Sequence, residues 1–186
     1  MRLFVALEVP AEVRETIAAL IRELKPLDAS WKWTRAENLH ITLKFLGEIS
    51  IQGFDEIVAA LTEVPFEQSL TLCFRGLGFF PNDRRPRVLW VGIEGPPGLL
   101  NLARNVEDSL IGVGVERDDR AFTPHLTLAR SKEGRVAPQL RETLTRCSGR
   151  NLGTVVASAF HLVRSDLKST GAEYTTLQTF PFTPES

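Results

Sequence analysis

Apolar residues recur along this chain with two periods, and the changes of period divide it into elements. Val13, Ile17, Leu20, Ile21 and Leu24 follow helical spacing behind Pro10, which predicts a helix over residues 11–25. Phe54, Ile57, Val58 and Leu61 predict a second over 54–64, and Leu99, Leu100, Ala103, Val106 and Leu110 a third over 98–111, opened by Pro96 and Pro97. Leu140, Leu144 and Cys147 mark a shorter fourth over 137–147. Strand-like runs lie at 2–9, 39–46, 70–74, 88–93, 125–130 and 155–163, with a last one near 174–182. Turn chemistry fills the gaps, notably Pro81, Asn82 and Pro86 in one segment and Gly95, Pro96, Pro97 and Gly98 in another.

The order of elements repeats although the letters barely do. A helix, the strand carrying His40, a second helix and the strand at 70–74 are followed by the same series around His125, 85 residues later. This predicts one domain over 1–186, made of two similar lobes about a pseudo-twofold axis. Such an axis sets equivalent strands, and so the two histidines, face to face across a cleft.

Those two strands share a local pattern. Asn38-Leu-His-Ile-Thr-Leu-Lys-Phe-Leu-Gly47 and Thr123-Pro-His-Leu-Thr-Leu-Ala-Arg130 each contain His-x-Thr. Side chains alternate faces on a strand, so His40 and Thr42 share one face while Ile41 and Leu43 share the other. The same holds for His125 and Thr127 against Leu126 and Leu128. An imidazole exchanges protons near neutral pH, and a hydroxyl can donate to a phosphate oxygen. Facing pairs would supply an acid, a base and two phosphate donors. A single His-x-Thr is usually no more than a half-buried histidine on a strand. Two of the chain's three histidines in matching places of a repeat are better explained by shared chemistry.

Composition narrows the partners. The 43% hydrophobic and 24% charged content is ordinary for a soluble globular protein, and the net charge of −1 excludes coating of long nucleic acid by counterion release. A short nucleotide held by a few local arginines remains compatible. No apolar run approaches the ~18 residues of a membrane span. Glu8 and Pro10 interrupt the first apolar run before a signal-peptide core could form, so a cytoplasmic protein is expected. Cys73 and Cys147 are far apart, without metal-ligand spacing, and read as buried reduced thiols.

These motifs resemble the two-histidine (2H) phosphoesterases, and within them the bacterial and archaeal RNA 2′,3′-cyclic phosphodiesterases once described as 2′-5′ RNA ligases. The resemblance runs through residues 2–7, the two His-x-Thr strands, Phe80-Pro81, residues 87–92 and a tail carrying Ser165, Gly171 and Tyr174. It implies a bilobal α+β fold in which two antiparallel sheets line a central cleft with helices outside. It also implies hydrolysis of a terminal 2′,3′-cyclic phosphate to a 2′-phosphate. His40 would be the proton donor, His125 the proton acceptor, and Thr42, Thr127 and Arg130 substrate-binding residues. The partners implied are RNA 3′ ends or 2′,3′-cyclic nucleotides, with no metal, cofactor or membrane and a monomeric chain. Ligation through a 2′-5′ bond is the reverse chemistry.

Other residues carry weaker signals. Arg130 has the wrong phase for the His125 face unless the strand ends or bulges before it. Lys44 shares the phase of His40 and Thr42, which places it in the cleft or at a solvated strand end. Arg84, Arg85 and Arg87 could track an RNA backbone or simply be solvated. Phe4, Trp31, Trp33 and Phe45 are candidates for base stacking, although most such rings belong to a core. Trp31 and Trp33 alternate on a strand and so face the same way, and His161 reads as a core or rim histidine. Two competing classes remain: a metal hydrolase using both histidines and a carboxylate, without any His-Glu-x-x-His in the chain, and a non-catalytic RNA-end or nucleotide-binding module.

Overall fold

The structure, a computed structural model, describes residues 1–66, 69–169 and 171–182. The chain opens with β1 (Arg2–Glu8), whose apolar residues do not alternate with polar ones because both faces are covered. Leu3, Val5 and Leu7 enter the main core, while Phe4 and Ala6 form a small second cluster with Val163 and Tyr174. The chain continues through α1 (Ala11–Leu24), β2 (Lys32–Trp33) and β3 (His40–Glu48) to α2 (Ile51–Thr62). Ser50 caps α2, its hydroxyl accepting from the Gly53 N–H at 3.0 Å, so this helix begins three residues before the periodicity alone predicts. Next come β4 (Leu70–Phe80), β5 (Val88–Glu94), α3 (Pro97–Ile111) and β6 (His125–Arg130). The order closes with α4 (Pro138–Cys147), β7 (Asn151–Ala157), β8 (Ala159–Lys168) and β9 (Gly171–Pro181).

Two antiparallel sheets result, ordered β3-β1-β8-β9 and β2-β6-β5-β4-β7. The architecture is α+β and bilobal, with pseudo-twofold related sheets on a central cleft and helices outside. α1 packs on β7, α3 on β3 and α4 on β4, while α2 lies against α3 and β9. One continuous core takes in residues of both sheets and all four helices.

The repeat is exchanged rather than cut at the midpoint. The strand after α2 does not join the sheet of β3; β4 pairs instead with β5, its successor in the chain. The single strand expected at 155–163 breaks at Ser158 into β7 and β8, which belong to different sheets. Alternation identifies a strand but carries no record of its partner. The exchange places β3 beside β6, bringing together the two strands with the matching histidine motifs.

Candidate active site

Both motif strands carry the same irregularity at the same step. In β1–β3, Ala6 pairs with Thr42 and Val5 with Lys44, so Leu43 has no cross-strand partner. In β5–β6, Trp90 pairs with Thr127 and Leu89 with Ala129, leaving Leu128 in the equivalent place. Each is a bulge that inserts one residue and reverses the alternation beyond it. Leu43 and Lys44 are therefore both buried, as are Leu128 and Ala129, while Phe45 and Arg130 return to the cleft. This corrects the expectation for Lys44, which is only 2% exposed. Its ammonium meets Glu107 of α3 at 2.9 Å and Asp118 at 3.0 Å. The same device explains Arg130, whose phase in an unbroken strand would carry it away from His125.

A cavity of about 510 Å³ lies between the sheets, bordered by His40, Thr42, His125, Thr127 and Arg130. The two imidazoles are held alike. His40 Nδ1 lies 2.7 Å from the Asn38 carbonyl, and His125 Nδ1 lies 2.7 Å from the Thr123 carbonyl. A carbonyl can only accept, so each Nδ1 carries the proton and each Nε2 is left free. Asn38 is itself tied down, its side-chain amide donating to the Ala172 carbonyl of β9 at 2.7 Å.

Aromatic rings fix the imidazoles further. His40 clusters with Phe4 at 4.6 Å and Tyr174 at 5.0 Å, which lie 5.1 Å from each other, and Phe80 meets His125 edge-on at 4.9 Å. Phe80 is backed by Trp90 at 5.3 Å. That indole occupies the space over Gly78, where a β-carbon would overlap the ring, so only glycine admits the stack. Burial among these rings, joined by the positive charges of Arg130 and His125, pushes His40 down to about 4 despite its bond to Asn38. His125 is lowered for the same leading reason, burial, with Arg130 adding to it. Burial thus favours the neutral imidazole in both rings.

The remaining sequence candidates separate cleanly. Phe45 is 57% exposed and borders the cavity, and Phe4 borders it as well, with its ring buried against His40. Trp31 is a core residue donating to the Arg135 carbonyl, and Trp33 packs beside it and donates to the Asp28 carbonyl. Arg84 and Arg85 lie exposed in a turn whose backbone N–H groups bond to the Asn82 side chain, and Arg87 binds the Lys132 carbonyl. His161 sits outside this cavity, bonded to the Thr179 hydroxyl at 3.0 Å. Cys147 is buried, but Cys73 is only half-buried, on the face of β4 opposite Leu72 and Phe74, which corrects its expected burial. Arg2, Asn38 and Ser165 border the cavity and were not singled out individually. Each lies within a motif segment, but nothing local in the sequence tells which positions of such a segment meet a cleft.

Among the described residues no cluster of three or more His, Cys, Asp or Glu side chains could hold a metal ion, and no helix is long and apolar enough to cross a membrane. What the cleft offers is two imidazoles with free Nε2 atoms, two hydroxyls and one guanidinium around a space large enough for a nucleotide. Comparison with known proteins leads the same way. An RNA 2′,3′-cyclic phosphodiesterase of Archaeoglobus fulgidus is 37% identical over 97% of this chain and 99% of its own length. One of Methanothermobacter thermautotrophicus is 32% identical over 97% and 98%. A crystal structure from Thermus thermophilus superposes with a TM-score of 0.83 at 31% identity, covering all of both chains. Escherichia coli LigT with 3′-AMP superposes with a TM-score of 0.81 at 29% identity over 98% of each. The LigT-like phosphoesterase family model matches twice in succession, over residues 7–90 and 91–174, so each half of the sequence repeat carries its own match and the chain belongs to the LigT-like phosphoesterase family.

Proposed function

We propose that this protein hydrolyses the 2′,3′-cyclic phosphate at the end of RNA to a 2′-phosphate, with His40 as general acid and His125 as general base. The observation that carries the reading is the matched tautomer: both Nδ1–H groups are engaged by backbone carbonyls, which leaves two Nε2 atoms for proton transfer. In the reaction, water attacks phosphorus and gives a proton to the lone pair of His125 Nε2. The bond from phosphorus to the 3′ oxygen breaks as protonated His40 Nε2 donates to that oxygen. Thr42 and Thr127 donate hydrogen bonds to the non-bridging oxygens, and Arg130 offsets the charge that develops there. With a 5′-hydroxyl in place of water as the attacking group, the same apparatus forms a 2′-5′ linkage, and the reverse of that step restores the cyclic phosphate and the 5′-hydroxyl.

The low affinity of His40 for a proton is part of the scheme. A cyclic phosphodiester is an anion, and its charge beside Arg130 offsets the repulsion that adds to burial in lowering His40. Substrate thus helps to protonate its own acid. The test is product analysis: a 2′,3′-cyclic nucleotide is incubated with the protein in excess chelator, and products are compared with authentic 2′- and 3′-nucleotides by chromatography. The 2′-phosphate is expected. Binding without turnover would make the protein a recognition module, and activity that depends on added zinc or manganese would overturn the two-histidine scheme. A predominant 3′-phosphate would remove His40 as donor to the 3′ oxygen.

A further inference from the structure

Both imidazoles are held by backbone carbonyls, but the carbonyls themselves are not held alike. Each belongs to the residue two before its histidine, Asn38 for His40 and Thr123 for His125. Between Thr123 and His125 stands Pro124, whose ring fixes its own φ at about −65° and confines the residue before it to extended backbone. The Thr123 carbonyl is thus restrained covalently. The matching position before His40 is Leu39, which imposes neither restraint.

What stands in for the proline is a hydrogen bond across the fold. The Asn38 backbone N–H donates to the Arg35 carbonyl at 2.9 Å, closing the turn at Ala36–Asn38, and its side-chain amide donates to the Ala172 carbonyl at 2.7 Å. A carbonyl only accepts, so the amide nitrogen is the atom that faces Ala172. Ala172 lies on β9, two residues before Tyr174, and both border the cavity. Tyr174 in turn meets the His40 ring edge-on at 5.0 Å. The contacts therefore close on themselves. They run from the Asn38 carbonyl to the imidazole, from the imidazole to Tyr174, along β9 to Ala172, and back to the Asn38 amide. Removing the amide frees the carbonyl and loosens the start of β9 together, so two restraints on His40 depend on one bond.

We infer that Asn38 is a positioning residue for His40. Through its bond to Ala172 it fixes the carbonyl that sets the tautomer and the aim of the acid, the part that Pro124 plays for His125. This rests on the hydrolytic reading above, in which His40 Nε2 delivers a proton to the leaving 3′ oxygen.

The test replaces Asn38 by Ala, which removes the amide, and by Leu, which keeps its volume and branching but cannot donate. Asn38 is half-buried at the cavity edge and outside the hydrophobic core, so both variants should fold, which circular dichroism checks. If Asn38→Ala does not, Asn38→Leu carries the test. Nitrogen NMR of the free protein, above the titration of the histidines, reads each tautomer without substrate. His125 should keep its proton on Nδ1 in both variants, whereas His40 should populate both tautomers. With a 2′,3′-cyclic nucleotide, kcat should fall by about tenfold or more, on the scale of a misplaced reacting group. KM should change little, because the acid acts in the transition state. A single Nδ1–H tautomer for His40 in the variants would overturn the inference, and so would a smaller fall in kcat. A loss confined to KM would overturn it as well, by making Asn38 a contact of the substrate. If the wild type turns over no cyclic nucleotide, the hydrolytic reading fails instead, and the His40 tautomer still decides whether Asn38 positions the ring.

Discussion

At the scale of single residues, the proposed chemistry turns on two imidazoles whose proton affinity the fold lowers. Burial and Arg130 lower both, His40 to about 4. The charge of a bound phosphate anion offsets that of Arg130 and favours the imidazolium, so each group binds its proton more tightly in the complex. The pH profile of kcat/KM reports the free enzyme and that of kcat the complex. The kcat/KM profile should therefore lie to the acid side of the kcat profile, and coincident profiles would contradict the electrostatic account. The same shift acts on stability. The folded protein holds His40 below the value near 6.5 of an unfolded chain, so between these limits the unfolded state binds more protons. This contribution is complete above pH 6.5 and is lost as pH falls toward 4. Urea denaturation across that range should show the loss, and inorganic phosphate should reduce it.

At the scale of elements, the paired bulges decide what reaches the cleft. The His-x-Thr faces were legible because alternation over three residues needs no knowledge of a partner strand. The bulges at Leu43 and Leu128 were not, since a bulge exists only relative to the strand beside it. That is why Lys44 reads from sequence as a cleft or solvated strand-end residue and Arg130 as ambiguous, although the first is buried and the second borders the cavity with the histidines. The positions after the bulges also break the twofold: Lys44 stands opposite Ala129 in the repeat, and Phe45 opposite Arg130. Two predictions belong here. Arg130→Gln removes a cation near both imidazoles, so both should titrate at higher pH by NMR while KM for a cyclic nucleotide rises. Unmoved titrations would show that Arg130 does not govern them. Lys44→Met leaves Glu107 and Asp118 without their buried partner. The expected loss in urea denaturation is about 3 kcal/mol, the low end for a broken buried pair because both carboxylates keep some contact with water. A loss below ~1 kcal/mol would mean that Glu107 and Asp118 are held by other contacts.

At the scale of the whole molecule, the repeat supplies half an active site twice. Neither half of the chain is a separate lobe, because β4 crosses to the second sheet and β8 and β9 return to the first. The helix and strand content of this arrangement was readable from periodicity. The exchange was not, because it is fixed by pairings between residues far apart in sequence, such as Phe4 with Val163. Its consequence is that the two histidines, one from each half of the sequence, border one cavity. Groups acting as a unit lose activity non-additively. The most direct measurement is therefore kcat for a 2′,3′-cyclic nucleotide in the wild type, His40→Ala, His125→Ala and the double variant, each checked for folding by circular dichroism. Each single replacement should cost about 10²–10⁴-fold, the usual contribution of a general acid or base. The double variant should be little worse than the poorer single one. A folded His40→Ala or His125→Ala protein with near-normal turnover would contradict the account, as would losses that simply multiply.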